Sequence, residues 1–172
     1  DLGETVKALD EIASGRLPRG ASTIRSLPAI ERAEVRLDEL IDIRIGAVTG
    51  DAHFFLLTED ERVELGLPRS AVCPVLSKSK HLSDATMGER EWAVLRDGGA
   101  RVWLFRPSGA ALQHSAVEKY LRRGERGACN VGGFKIRSRT PWHKTALPRR
   151  PDGFLSGMSR RLPFLVLREK QG

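Results

Sequence analysis

Phe134-Lys135-Ile136-Arg137-Ser138-Arg139-Thr140-Pro141-Trp142-His143-Lys144 is the stretch whose residue types and spacing point most directly to chemistry. Lys135, Arg137 and Arg139 alternate with Phe134, Ile136, Ser138 and Thr140. Read as a strand, that alternation sends the three cations to one face in a row about 7 Å apart, close to the spacing of successive phosphates along a nucleic-acid strand. Pro141 breaks the run, and Trp142 and His143 then supply flat rings able to stack or to donate hydrogen bonds. The competing reading is a solvated edge strand carrying protective charges. A second candidate is Lys78, Lys80 and His81, in a short polar loop after an apolar run, a placement that suits either a polyanion-facing loop or an ordinary exposed one.

The charge of the chain favours a polyanion. The formal net charge is +7, unevenly spread. Residues 1–66 carry 8 Lys/Arg against 14 Asp/Glu, whereas residues 67–172 carry 21 against 8. Charge serving solubility alone is mixed in sign throughout, so the second part is a candidate electrostatic surface. Other chemistries lack their residues. The sequence has no G-x-x-x-x-G-K or G-x-G-x-x-G phosphate loop, no G-x-S-x-G elbow and no lysine two residues after an acid. Its four histidines are dispersed without a Cys/His cluster, so no metal site is expected. The two cysteines, Cys73 and Cys129, lie far apart, which argues against a disulfide scaffold and for a reducing, cytoplasmic compartment. No apolar run is long enough to span a bilayer. The expectation is a binding module without an active centre of its own.

The elements that must hold these residues read as follows. Glu4 to Ser14 has helical apolar spacing (Val6, Leu9, Ile12) and stops at Gly15. Ser14 to Pro28 reads as a linker. Residues 1–28 are therefore expected to be a helix and linker that follow a preceding domain, and 29–172 the binding domain; with Asp1 already inside a helix, the chain is expected to be a piece of a longer polypeptide. Val35 to Val48 alternates apolar and polar residues and predicts a strand; the turn Thr49-Gly50-Asp51 and a buried strand over His53 to Leu57 follow. Thr58-x-x-Glu61, Thr86-x-x-Glu89 and Ser115-x-x-Glu118 predict three capping boxes, with helices ending at Gly66, Gly98-Gly99 and Gly124. Val72–Leu76, Ala100–Phe105 and Phe164–Leu167 predict short strands, and Trp92, Trp103 and Cys73 are assigned to the core. The fold class expected is α+β: a mixed or antiparallel curved sheet with short capped helices, preceded by an N-terminal helix.

Four ordered blocks carry a resemblance. Leu37-Asp38-Glu39-Leu40-Ile41-Asp42-Ile43-Arg44-Ile45-Gly46-Ala47-Val48-Thr49-Gly50, followed by His53-Phe54-Phe55-Leu56-Leu57, resembles the opening of the target-recognition domain of N6-adenine-specific DNA methyltransferases, where a strand leads into I-G-x-V-T-G and then F-F-x-L. Pro74 to Leu82 is similar to the next block, and Lys135 to Lys144 to the basic block ending in P-W-[YH]-K. Asp152 to Ser159, leading into Pro163 to Leu167, resembles the last; many relatives place Asn after it, where this chain has Arg168.

The resemblance implies a restriction-modification role: a C-terminal domain that binds double-stranded DNA and clamps it against a catalytic methyltransferase domain of the same polypeptide. That domain would use S-adenosylmethionine; neither its catalytic tetrapeptide nor its cofactor loop occurs in this chain. Lys78, Lys80, His81, Lys135, Arg137, Arg139, Trp142 and Lys144 are the DNA-contact candidates under this reading. Two alternatives stay open: a domain like those of type I restriction specificity subunits, and a basic protein-interaction module.

Overall fold

The computed structural model describes residues 37–82, 85–156 and 164–169. The chain divides into two compact units, Asp1–Arg44 with Ser156–Phe164, and Ile45–Leu155 with Leu165–Gly172. All eight candidate contact residues belong to the second. In the first, the described residues form one helical turn, α1 (Leu37–Leu40), and an irregular stretch in which Arg44 pairs with Asp42 at 2.7 Å. The expected helix over Glu4–Ser14 and the linker over Ser14–Pro28 lie outside the described residues.

The second unit is built around two small three-stranded sheets, apart from Ser156 and Phe164, the strand-end residues that fall to the first unit. The first sheet has the order β1 (Leu56–Leu57), β4 (Trp103–Phe105), β2 (Val72–Pro74), antiparallel throughout. β4 is its centre, and all three of its side chains are buried, as the apolar run Val102–Phe105 requires. The second sheet has the order β3 (Thr86–Met87), β6 (Phe164–Arg168), β5 (Gly153–Ser156), with β3 and β6 parallel. With the helices between them the architecture is α+β, as the sequence predicts, though divided between two sheets. Among the described residues no helix is long and apolar enough to cross a membrane.

One core serves the first sheet. Phe54, Phe55, Leu57, Leu67, Val102, Leu104, Phe105, Val117, Tyr120 and Ile136 are all buried in it. Phe54 lies stacked on Tyr120 with ring centroids 4.6 Å apart, and Phe105 meets Tyr120 edge-on at 4.8 Å. Tyr120 satisfies its buried hydroxyl by donating to the Phe54 carbonyl at 2.8 Å; burial pushes its pKa up to about 12. Trp103 is buried and Trp92 packs edge-on to it at 4.8 Å, so both sit where the sequence places them. Cys73 is half-buried on β2 against the same core.

Several local expectations are corrected. Val35–Val48 is not a strand in its described part: α1 takes up Leu37–Leu40, and Ile43, Ile45 and Val48 are exposed and unpaired with any described strand. Alternation supplies a face, but a strand also needs a partner to accept its backbone groups. His53–Leu57 begins as a helical turn, α2 (Ala52–Phe55), because Asp51 caps it: its Oδ1 accepts from the Phe54 N–H at 3.2 Å. The burial foreseen for Phe54, Phe55 and Leu57 is nevertheless correct.

The Thr58 box is present in full on α3 (Glu59–Glu64). Glu61 N–H donates to Thr58 Oγ1 at 3.1 Å, and the Thr58 N–H donates to Glu61 Oε2 at 2.9 Å. Gly66 follows at φ +63°, a left-handed stop that suits glycine. The other two boxes shift. Thr86 belongs to β3, and α4 (Glu89–Asp97) is started by Gly88, whose N–H donates to Glu91 at 2.9 Å. Ser115 is already inside α5 (Ser115–Arg123), whose cap is His114, its Nδ1 accepting from Ala116 N–H at 3.3 Å. α5 ends at Gly124, its C-cap as the sequence predicts, and passes there into a π turn over Gly124–Ala128.

Candidate nucleic-acid interface

Phe134 to Lys144 does not form the predicted strand. Phe134–Arg137 is a single helical turn, α6, closed by hydrogen bonds of 2.9 Å from the Ile136 and Arg137 N–H groups to the Gly133 carbonyl. The alternation that suggests a strand fits a helical turn equally well over four residues, because only one apolar side chain has to point inward. That side chain is Ile136, 1 % exposed. It sits against Gly50, where an added Cβ would lie 2.8 Å from Ile136 Cγ1 and 3.0 Å from Lys135 Cβ. Gly50 is also at φ +80°, so both space and backbone require glycine there.

The three cations therefore do not form a row. Lys135 and Arg137 are exposed. Arg139 turns inward: one guanidinium nitrogen donates to the Val48 carbonyl at 2.5 Å, another to Thr145 Oγ1 at 3.3 Å, and its Cζ lies 5.8 Å from the Phe55 ring centroid. Thr145 is wholly buried, and its carbonyl accepts from Arg106 Nε at 2.9 Å, which ties this end of the segment to the residue after β4.

Trp142 is half-buried against Phe54 and Phe55, at 5.7 and 6.1 Å between centroids, and donates from Nε1 to Glu125 at 3.2 Å. Gly124 makes room for it, since a Cβ there would stand 2.7 Å from the Trp142 ring and 2.8 Å from Phe54. His143, packed beside Trp142, has its pKa lowered by burial, with Glu125 opposing the shift. Lys144 is exposed.

The second candidate cluster leaves the first sheet at its opposite end. Pro74 pairs with Trp103 and Val72 with Phe105, so the chain after β2 departs from the Trp103 end, while the Arg106–Thr145 tether lies past the Phe105 end. Lys78 and Lys80 are exposed there. His81, expected to face the ligand with them, is 9 % exposed because it closes a 3-10 turn over Ser79–His81. Burial, with Lys80 and Lys78 nearby, lowers its pKa.

What the structure brings together is an exposed group of Phe134, Lys135 and Arg137. Both cationic centres lie 5.7 Å from the Phe134 ring centroid. Among the described residues no carboxylate pairs with Lys135, Arg137, Lys144, Lys78 or Lys80. Arg122, Arg123 and Arg126 are further exposed cations, on α5 and the π turn that lies under Trp142. The run Arg122-Arg123-Gly124-Glu125-Arg126 carried that signal in the sequence. Among the described residues no three of His, Cys, Asp and Glu are grouped to hold a metal ion.

Comparison with protein families matches residues 20–171 to the model described as type II methyltransferase M.Eco57I, C-terminal domain. The chain belongs to this family. Comparison with curated proteins and with solved structures gives no match. Family membership covers both sheets and every candidate contact residue, so the exposed cations of α6 belong to a methyltransferase-associated domain.

Proposed function

We propose that the chain is the DNA target-recognition domain of an S-adenosylmethionine-dependent, adenine-specific DNA methyltransferase. Lys135, Arg137 and Lys144 hold the phosphate backbone of duplex DNA, with Lys78 and Lys80 as a second contact. The catalytic domain of the same polypeptide, holding S-adenosylmethionine, extrudes the adenine and methylates N6 while this domain clamps the duplex. The chain has no glycine-rich cofactor loop, so the cofactor is assigned to that other domain. Arg139 and Trp142 are positioning residues in this account: they fix the segment that displays Lys135, Arg137 and Lys144.

The observation that carries the reading is that Lys135 and Arg137 are exposed and without a carboxylate among the described residues, in a domain of this family. An ion pair already neutralised by a protein carboxylate would release no counterions from DNA; free cations do.

The test is a fluorescence-anisotropy titration of the chain with short duplexes at low and moderate salt, repeated with Lys135→Ala/Arg137→Ala. Salt-sensitive binding, with a shallower salt dependence in the double variant, is the expected result. Equal binding of acidic proteins or of any polyanion, with no preference among duplexes, would favour the basic protein-interaction alternative.

A further inference from the structure

Phe134 is 69 % exposed, the most exposed aromatic ring among the described residues. Phe54, Phe55, Phe105, Tyr120 and Trp103 are buried, Trp92, Trp142 and Phe154 are half-buried, and Phe164 is 38 % exposed. A single exposed apolar residue is ordinary by itself. Three further features set this one apart.

It stands on a rigid support. Ile136 and Gly50 interlock beneath the same turn, and Arg139 fastens the residues that follow through Val48 and Thr145. It is flanked by Lys135 and Arg137, each with its charge 5.7 Å from the ring centroid. Those two cations are unpaired with any carboxylate of the described residues. A fixed apolar ring between free cations matches duplex DNA in layout, with charge outside and stacked bases within.

We propose that Phe134 is an apolar wedge that enters a base step of duplex DNA and partly unstacks it, while Lys135 and Arg137 hold the phosphates beside that step. The proposal rests on the DNA-recognition reading above and adds to it a deformation of the duplex. Unstacking at the step opposes binding, and contact of the ring with the exposed base faces offsets it. Pyrimidine–purine steps, which unstack most readily, are the preferred sites.

The test uses the whole chain and short duplexes carrying 2-aminopurine, which brightens on unstacking, beside a TA or CA step. Wild type, Phe134→Ala, Phe134→Leu and Lys135→Ala/Arg137→Ala are compared. Wild type brightens the probe on binding. Phe134→Ala binds about tenfold more weakly, keeps the wild-type salt dependence, and at saturation leaves the probe dim. Phe134→Leu, still apolar, retains part of the brightening, and thermal melting is unchanged for both because the ring is exposed.

Wild-type protein that binds every such duplex without brightening it overturns the wedge and leaves the DNA-recognition reading standing. So does a Phe134→Ala variant that brightens the probe as wild type does. Failure of wild type to bind any duplex at low salt overturns both.

Discussion

Two arginine-bearing regions of the same unit treat their charge in opposite ways. Around α3, each arginine is held by a carboxylate. Glu59 accepts from Arg62 at 2.8 Å, from Arg69 at 2.9 Å and from Trp103 Nε1 at 2.6 Å. Glu61 accepts from Arg101 at 2.5 Å, and Arg101 also donates to the Leu56 carbonyl. Around α6, Lys135 and Arg137 have no such partner among the described residues, and only Arg139 is committed, to a carbonyl and a hydroxyl. In the first region arginine is a fastener for α3, β1 and β4. In the second, one arginine fastens and its neighbours are left for a ligand. Residue type alone does not distinguish these uses; partners do.

The sharpest way to break that contrast is Arg139→Ala. It leaves the buried Thr145 Oγ1 without its donor, returns the Val48 carbonyl to water and removes the guanidinium from over the Phe55 ring, and we expect a loss of about 2 kcal/mol in urea denaturation. A loss near zero would mean that Arg139 is as free as its neighbours, and the distinction between Arg139 and the cations of α6 would disappear.

Glu59→Gln comes next, at about 1–2 kcal/mol, since three donors lose a charged acceptor that is partly open to water. The same group gives a pH signature. The Arg62 hydrogen bond, with those of Trp103 and the charge of Arg69, lowers the Glu59 pKa from 4.5 to about 2. A carboxylate depressed on folding contributes stability that is complete above the unfolded pKa and is lost as the pH falls through the folded one. Acid denaturation of wild type between about pH 4.5 and 2 should therefore be steeper than that of Glu59→Gln. Parallel curves would remove Glu59 as the centre of this region.

Smaller still is Glu118→Ala, which breaks an exposed i,i+4 pair with Arg122; thermal melting should register about 0.3–0.5 kcal/mol. The smallest stability effect belongs to Lys135→Ala/Arg137→Ala, within about 0.5 kcal/mol of wild type, and the same variant should show the clearest change in salt-dependent DNA binding. A double variant as unstable as Arg139→Ala would make α6 a structural element and nothing more.

How much was legible in the sequence follows the range of the interaction responsible. The Thr58 box could be read because donor and acceptor are three residues apart and nothing distant competes for either. Thr86 could not, because Leu167 pairs with it from the far end of the chain and draws it into a strand. Ser115 lost its cap to the preceding His114, whose ring nitrogen reaches Ala116 N–H first. The apolar runs of β2, β4 and β6 were read correctly as strands because each is short and apolar and turns at least one side chain inward: all three of β4, Val72 of β2 and Val166 of β6.

The α6 segment shows what pattern leaves undecided. The alternation of Lys135, Ile136 and Arg137 identified which side chains point outward but not the backbone that carries them. What makes it a helical turn is the fit of Ile136 to Gly50, a contact across more than eighty residues of sequence. The inward turn of Arg139 depends on Val48 and Thr145 in the same way. The exposure of Phe134 had no sequence signal, since an apolar residue beside a buried isoleucine reads as more core.

The parallel pairing of β3 with β6 sets an order of events during synthesis. The first sheet draws its strands from residues 56–105, and its core is complete once Val117, Tyr120 and Ile136 have followed them from the ribosome. The second needs Leu167 and Arg168 beside Thr86 and Met87, so it closes only when translation of the region is complete. Until then Met87 lacks its neighbour strand and its backbone edge is open to other chains. A protein shortened before Phe164 would keep the first sheet, lose the second, and carry that open edge permanently.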